Sequence, residues 1–564
     1  MQWAIDKTPK GRLRVFKEYF MLRIVSWSKQ RSIYFALGLF AVSPVAFPVV
    51  SWAADPPVST QWGVVNEPQY PGTICTTLTA ELQSTQGSLD AVDADGKLTH
   101  PDQERLQAAI NACTSGAVKL VIGEGTKDAF LTGPLTLKSG VTLWIDKGVT
   151  LFASRDPKDY AIVDVGTASD CGTANDSSKK TCKPLIEATE TKNSGIVGEG
   201  RIDGRGGSLL LSGDNAGKRS WWDVAWQSKQ GLKQHAFRLL QINGGADFTL
   251  HDITLMNSPN FHVVSDGLDG LLAWGIKILT PSAVYTEPGY ACPEGSTPDK
   301  LTPATCFTPD TVKNTDGFDP GQSSRVLLAY SYISTGDDHV AIKAGGKKPS
   351  TQMTFAHNHF YYGHGLSIGS ETNSGVEDIS IYDLVMDGFD SPNGNGLRIK
   401  SDSSRGGKVS NVIYGDVCMR NTRYPMIFDT HYSDKQGNLL PDFSGVTVRN
   451  FKYMGSKAYG GGYLVFRGLQ QDGQYLPLGL TLDTVQFEGK QPVILGSPQI
   501  SANDKPSYAN ITLGLGPVSF ADALKPDSAT RFKVTNLMDG MPADDMDCSA
   551  AFVPFSTVLE GAPI

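Results

Sequence analysis

Charge is scarce in this 564-residue sequence, where only 19% of residues are Asp, Glu, Lys or Arg. The charge present leans negative, with 50 Lys and Arg against 58 Asp and Glu. Nothing resembles the basic stripe that grips a phosphate backbone, which argues against nucleic-acid binding. The eight cysteines include no Cys-x-x-Cys pair, and no His-rich spacing accompanies them. Zinc is therefore not expected, and no metal or other cofactor is assigned. No long Pro/Ser linker or charge run divides the chain after residue 100. A sustained helical period is missing as well. Glycine, by contrast, is abundant at 60 residues, as suits a chain rich in strands and turns.

The N-terminus has its own pattern. Arg23, Lys29 and Arg31 precede an apolar stretch from Tyr34 to Val50, followed by small residues at Ala53 and Ala54. Residues 1–54 are expected to be an export signal, with Met21 as an alternative start. The competing reading is a membrane anchor, but Ser43, Pro44 and Pro48 interrupt a stretch already short for a span. Residues 1–54 hold eight Lys/Arg and two Asp/Glu, so without them the net charge falls from −8 to −14. An anionic substrate would then need a local basic patch. In an exported, extracellular protein, cysteines favour disulfides. The expected pairs are Cys75 with Cys113, Cys171 with Cys182 and Cys292 with Cys306, leaving Cys418 and Cys548 free or paired over a long distance.

From Leu250 onward one phrase recurs: a few apolar or β-branched residues, a polar or small break, then another apolar pair. It appears as FTLHDITLMN (248–257), LLAWGIKIL (271–279), VLLAYSYIS (326–334), MTFAHNHFY (353–361) and ISIYDLVMDG (379–388), and continues to LTLDTVQFEG (480–489). Many units carry a second apolar run, such as FHVVSDG, HVAIKAG, GLSIGS and GLRIKS. Short alternating runs repeated at this interval are strands of a solenoid. Two-residue hairpin signals are scarce, which disfavours a sandwich. The expected fold is all-β, a parallel β-helix spanning 101–500. PDQERLQAAINAC (101–113) aligns Leu106, Ala109, Ile110 and Cys113 on one face of an amphipathic helix that caps the first coil. Residues 55–100 form a lead-in, and 501–564 cover the far end. Both ends being covered, a monomer is expected.

Coil repetition turns the linear sequence into a surface. Asp316 lies in NTDGFDP (314–320), and GDDHVAIK (336–343) brings Asp337 and Asp338 21 residues later. GHGLSIGS (363–370) adds His364, and GLRIKSD (396–402) adds Arg398 and Lys400. At about 4.8 Å per coil the strip is about 15 Å long, acids at one end and bases at the other. Arg398 and Lys400, two apart on a strand, point to the same side. Adjacent Asp337 and Asp338 would face opposite ways on a regular strand, so a bend at Gly336 is expected to turn both toward the groove. At about 5 Å and an effective dielectric near 20, their repulsion is about 3 kcal/mol. That equals about two pKa units, enough to keep one acid protonated in mildly acidic conditions. Three carboxylates beside a cationic site suit glycoside hydrolysis.

These four motifs, in this order, resemble the signatures of the polygalacturonases, glycoside hydrolase family 28. NSPNFH (257–262) resembles the segment that precedes the active coils in that family. The similarity extends from about residue 65 to 490 and is greatest to bacterial secreted endo-acting enzymes. It implies a right-handed parallel β-helix that hydrolyses α-1,4 links in homogalacturonan (pectin) with inversion. It also implies Asp337 as general acid, Asp316 and Asp338 as the residues that position and activate water, and His364 as a hydrogen-bonding support. Arg398 and Lys400 would grip galacturonate carboxylates. Asn314 would bind substrate or shape its turn, and Tyr432 in FDTHYSD would face substrate. No signature position is substituted. The alternatives are exo-cleavage or a rhamnogalacturonan or xylogalacturonan backbone, a calcium-dependent pectate lyase, and a non-catalytic polysaccharide-binding β-helix.

Overall fold

Each repeat carries two apolar runs, and each run becomes a strand on a different wall of one coil. A computed structural model describes residues 55–162, 169–495, 507–529, 531–540 and 546–559. The expected export signal, residues 1–54, lies outside these. The second apolar runs form one wall of eleven parallel strands, including Val263–Asp266, Phe318–Gly321, Val340–Ile342, Leu366–Gly369, Asn395–Lys400 and Tyr424–Asp429. The first runs form the rest of the coil. Early coils use paired short strands, such as Ser324–Ala329 and Tyr332–Ser334. Later ones use long strands, such as Ser350–Phe360 and Val376–Asp387. The result is the expected right-handed parallel β-helix.

Parallel register sets like upon like. On the first wall Val263, Phe318, Val340, Leu366, Leu397 and Met426 pair in succession. Opposite them, Leu271, Val326, Met353, Ile379, Val412 and Val446 do the same. All twelve are buried and belong to one continuous core. Burying such side chains contributes about 1.5–3 kcal/mol each. A one-residue slip would turn a whole run outward, so the register is strongly specified. The alternate positions of the first wall then necessarily face out, in rows one residue per coil.

The helix expected at the start of the coils is Gln103–Ala112, with Leu106, Ile110 and Cys113 buried and Ala109 partly so. Asp102 secures its first turn by accepting from Leu131 N at 2.6 Å and pairing with Arg105 at 2.5 Å. Parallel pairing continues on both sides of 101–500. Ile74–Thr79 pairs with Gly116–Val121, and Ala509–Leu513 and Lys533–Asn536 extend the stack beyond Leu478–Phe487. Among the described residues no helix is long and apolar enough to cross a membrane.

The three expected disulfides form, and Cys418 and Cys548 pair as well, closing a separation of 130 residues. This last bond ties the C-terminal segment to the flank of the coils. There Phe552 lies 4.0 Å from the Arg420 guanidinium, and Phe555 packs 4.7 Å from the Tyr361 ring. Closing so long a loop restricts the unfolded chain and contributes about 2–5 kcal/mol. Cys548→Ser is expected to lower the unfolding free energy by that amount, read as a lower midpoint in a denaturant titration. A midpoint equal to that of the parent would show that the aromatic contacts alone hold the segment.

Candidate active site

The candidate residues sit in the bends that enter the strands of the eleven-stranded wall. Asp316 precedes Phe318–Gly321, Asp337 and Asp338 precede Val340–Ile342, and His364 precedes Leu366–Gly369. Successive bends are stitched together by backbone. Gly317 N donates to Asp338 O at 2.9 Å, and His364 N donates to Asp337 O at 2.8 Å. The bend at Gly336 is made by close approach: a Cβ there would lie 2.3 Å from Val312 O and 2.5 Å from Pro309 O. Gly363 and Gly365, at φ 154° and 97°, supply backbone that L side chains rarely adopt on either side of His364. Asp337 and Asp338 thus escape strand alternation, as expected, and converge with His364. One ligand atom from each of the three lies within 4.8 Å of the others.

The three carboxyls are in different states. Asp337 is partly open, its side chain 19% exposed, and His364 Nδ1 donates to its Oδ1 at 3.0 Å. Asp338 is buried, and both its oxygens are engaged: Ser367 Oγ at 2.9 Å and Arg398 Nη1 at 3.5 Å meet Oδ1, and Lys400 Nζ meets Oδ2 at 2.5 Å. Asp316 is buried too, but its Oδ1 has no hydrogen-bond partner among the described residues.

This arrangement revises the expected source of the proton. Burial pushes the Asp316 carboxyl well above its ordinary range, helped by the charges of Asp319 and Asp337. Burial acts on Asp337 as well, but the His364 charge and hydrogen bond, with Lys400 and Lys313, outweigh it and hold that carboxyl low. Repulsion within the adjacent pair therefore does not place the proton there. The cations meet that repulsion, and raised proton affinity falls on Asp316 a coil away.

The cationic residues depart from the expected strip as well. Arg398 and Lys400 do share a side, outward from the inward Leu397 and Ile399. They are not set apart from the acids, because their long side chains reach back to Asp338. Tyr432, 43% exposed, covers both, its ring centre 5.5 Å from the Arg398 guanidinium and 5.3 Å from Lys400 Nζ. Asn314 takes a left-handed conformation at φ 55°, and its Oδ1 accepts from Gln234 Nε2 at 3.1 Å. It shapes the turn into Asp316.

Several site residues escape the sequence reading. Asp319, the second acid of NTDGFDP, is buried and pairs with Lys343 Nζ at 2.6 Å, and the same ammonium lies 3.7 Å from Asp316. Burial lifts Asp319 to about 6, with Lys343 opposing. Continuing the alternation after Ile342 places Lys343 outward, so GDDHVAIK carried this signal. Ser367 likewise sits opposite Arg398 in the register. His262 of NSPNFH is buried, donating from Nδ1 to Asp316 O at 3.0 Å and accepting at Nε2 from Thr280 Oγ1 at 2.8 Å. Burial lowers both His262 and His339 to about 4, so both imidazoles stay neutral and act as struts.

Carboxyls held in unlike states beside a cationic pair, on the outer wall of a parallel β-helix, define a polysaccharide-cleaving glycosidase. The sequence agrees: residues 113–460 match the model of the glycosyl hydrolases family 28, and the chain belongs to that family. It is 52% identical over 533 residues to a polygalacturonase of Ralstonia solanacearum, covering 93% of this chain and 99% of that one. It is 39% identical over 426 residues to an endo-polygalacturonase of Pectobacterium carotovorum subsp. carotovorum, covering 75% and 88%. The solved polygalacturonase from Erwinia carotovora ssp. carotovora superposes with a TM-score of 0.62 at 37% identity, over 79% of this chain and 98% of that one.

Because Asp338 is buried against Lys400, removing the ammonium leaves an undercompensated charge inside the protein. Lys400→Ala is expected to cost on the order of 3 kcal/mol of stability. Adding Asp338→Asn should restore much of that loss in urea titrations. Unchanged stability of Lys400→Ala would show that Arg398 and Ser367 suffice for Asp338.

Proposed function

We propose that this protein is an exported, endo-acting polygalacturonase that cleaves α-1,4 links of homogalacturonan with inversion. The observation that carries the reading is the division of labour among the carboxyls. Asp337 is accessible and coupled to His364, Asp338 is saturated with donors, and Asp316 is buried with a free oxygen. The four disulfides support an oxidising, extracellular destination. The endo mode is supported by the named activity of the Pectobacterium relative.

Asp337 is the general acid. With water present, the His364–Asp337 couple holds its proton on the imidazole. When a sugar ring covers the cleft and excludes water, the neutral pair gains over the ion pair. The proton then passes from Nδ1 to Oδ1, and from there to the departing glycosidic oxygen. Asp338 orients the attacking water, because a carboxylate whose two oxygens are occupied by Lys400, Ser367 and Arg398 is poorly placed to attack the sugar itself. That capping favours direct attack by water, hence inversion. Asp316 takes the proton that the water loses. Arg398 and Lys400, under Tyr432, hold a galacturonate carboxylate and give an acidic protein a local attraction for an acidic polymer.

A time course of product sizes from de-esterified pectin, with and without chelator, tests the reading. Mixed oligomers from the outset, saturated products and indifference to chelator are expected. Monomer or dimer alone would mean exo action, ultraviolet-absorbing products lost with chelator a lyase, and binding without cleavage an adhesive protein. The first-formed anomer, followed by proton NMR, is expected to be inverted.

Asp337→Asn should lose about a hundredfold or more in turnover on the polymer, yet retain far more on an aryl galacturonide whose phenolate leaves without a proton. Asp316→Asn should be impaired on both. The reverse pattern would exchange the two roles.

A further inference from the structure

Lys343 stands at the end of GDDHVAIK, and the functional reading above gives it no role. Its ammonium lies 2.6 Å from Asp319 Oδ2 and 3.7 Å from Asp316 Oδ2, and 4.3 Å from the centre of the Phe261 ring. The lysine is therefore shared unequally between two buried acids, each of which has an Oδ1 without a hydrogen-bond partner among the described residues. Two carboxylates in that environment hold their charge only against burial and against each other. The other charged groups around them help unequally. Asp337 and Asp338 add negative charge from the next coil. Arg238 is half-buried nearby and donates to Gln241 Oε1 at 2.7 Å; its charge is felt by Asp319 and, more weakly, Asp316, and is shared with Asp266. Glu371 is matched by Arg405 at 3.2 Å. His262 is buried neutral. Lys343 alone brings a positive charge into direct contact with Asp316.

We propose that Lys343 is a positioning residue for hydrolysis: it favours the ionised form of Asp316 that accepts a proton, and Asp319 sets how much of the charge Asp316 feels. The inference rests on the reading above, in which Asp316 takes the proton of the attacking water. In that step the water oxygen bonds to the anomeric carbon, its proton goes to the Asp316 carboxylate, and the glycosidic oxygen leaves with the proton of Asp337. A protonated Asp316 cannot act, so the acidic limb of the pH–rate profile follows its titration. The direction of burial and of the Asp319 charge, both raising Asp316, with Lys343 opposing, agrees.

The test is kcat against pH on polygalacturonate for the parent, Lys343→Met, Lys343→Arg and Asp319→Asn. In Lys343→Met the acidic limb is expected to move up by about one pH unit, a roughly tenfold loss on that limb that is recovered at higher pH. Lys343→Arg should keep the parent limb. Asp319→Asn, which gives Asp316 the whole ammonium, should move it down. Titration of substrate carboxylates affects all four alike. A loss equal at every pH in Lys343→Met, with the limb unmoved in Asp319→Asn, would overturn the inference and leave Lys343 a packing residue. If Lys343→Met does not fold, the opposite shift in Asp319→Asn still decides. Carbon-13 carboxyl NMR, with Asp316 identified by its loss in Asp316→Asn, reads the same pKa displacement without turnover. A parent that does not hydrolyse the polymer would therefore fail the functional reading alone.

Discussion

The pairing of Val340–Ile342 with Phe318 on one side and Leu366–Ile368 on the other governs the rest of the site. In a parallel coil the inward ladder and the outward row are the same fact seen from two sides. Once Val340 and Ile342 are fixed against Leu366 and Ile368, the entering bends carrying Asp316, Asp337, Asp338 and His364 must stack. Hydrophobic burial thus holds the carboxyls together against a repulsion that would separate them in a flexible loop.

That rigidity has an electrostatic consequence. Close-set acids in a low-dielectric wall need cations, and different acids receive different ones. Asp338 has Lys400 and Arg398 from two coils along, Asp337 has His364 from the next coil, and Asp316 has a minor share of Lys343. One fold therefore places three identical side chains in three different electrostatic environments. The neutral struts His262 and His339 complete the scaffold without adding charge.

The flanks of the coils are held by other means. The C-terminal segment is tied by Cys418–Cys548 and by packing of Phe552 and Phe555. The first coil is closed by the Gln103–Ala112 helix and Cys75–Cys113. A solenoid exposes its core at both ends, so covering elements with apolar faces are a physical requirement.

Period-two alternation repeated along the chain determined the β-helix, because a pattern that buries every second residue can be satisfied only by strands. Spacing of one coil then determined that Asp316, Asp337, Asp338, His364, Arg398 and Lys400 share a surface. Only the tertiary structure decided which charge meets which. Arg398 and Lys400 reach back to Asp338 because long side chains span more than one coil, a freedom that spacing does not constrain. The proton affinity of Asp316 comes from burial and from Lys343 and Asp319, which depend on depth and on distances of a few ångströms. Cys418 and Cys548 tell the same story: 130 residues apart in the chain, they meet only once the coils have set their places.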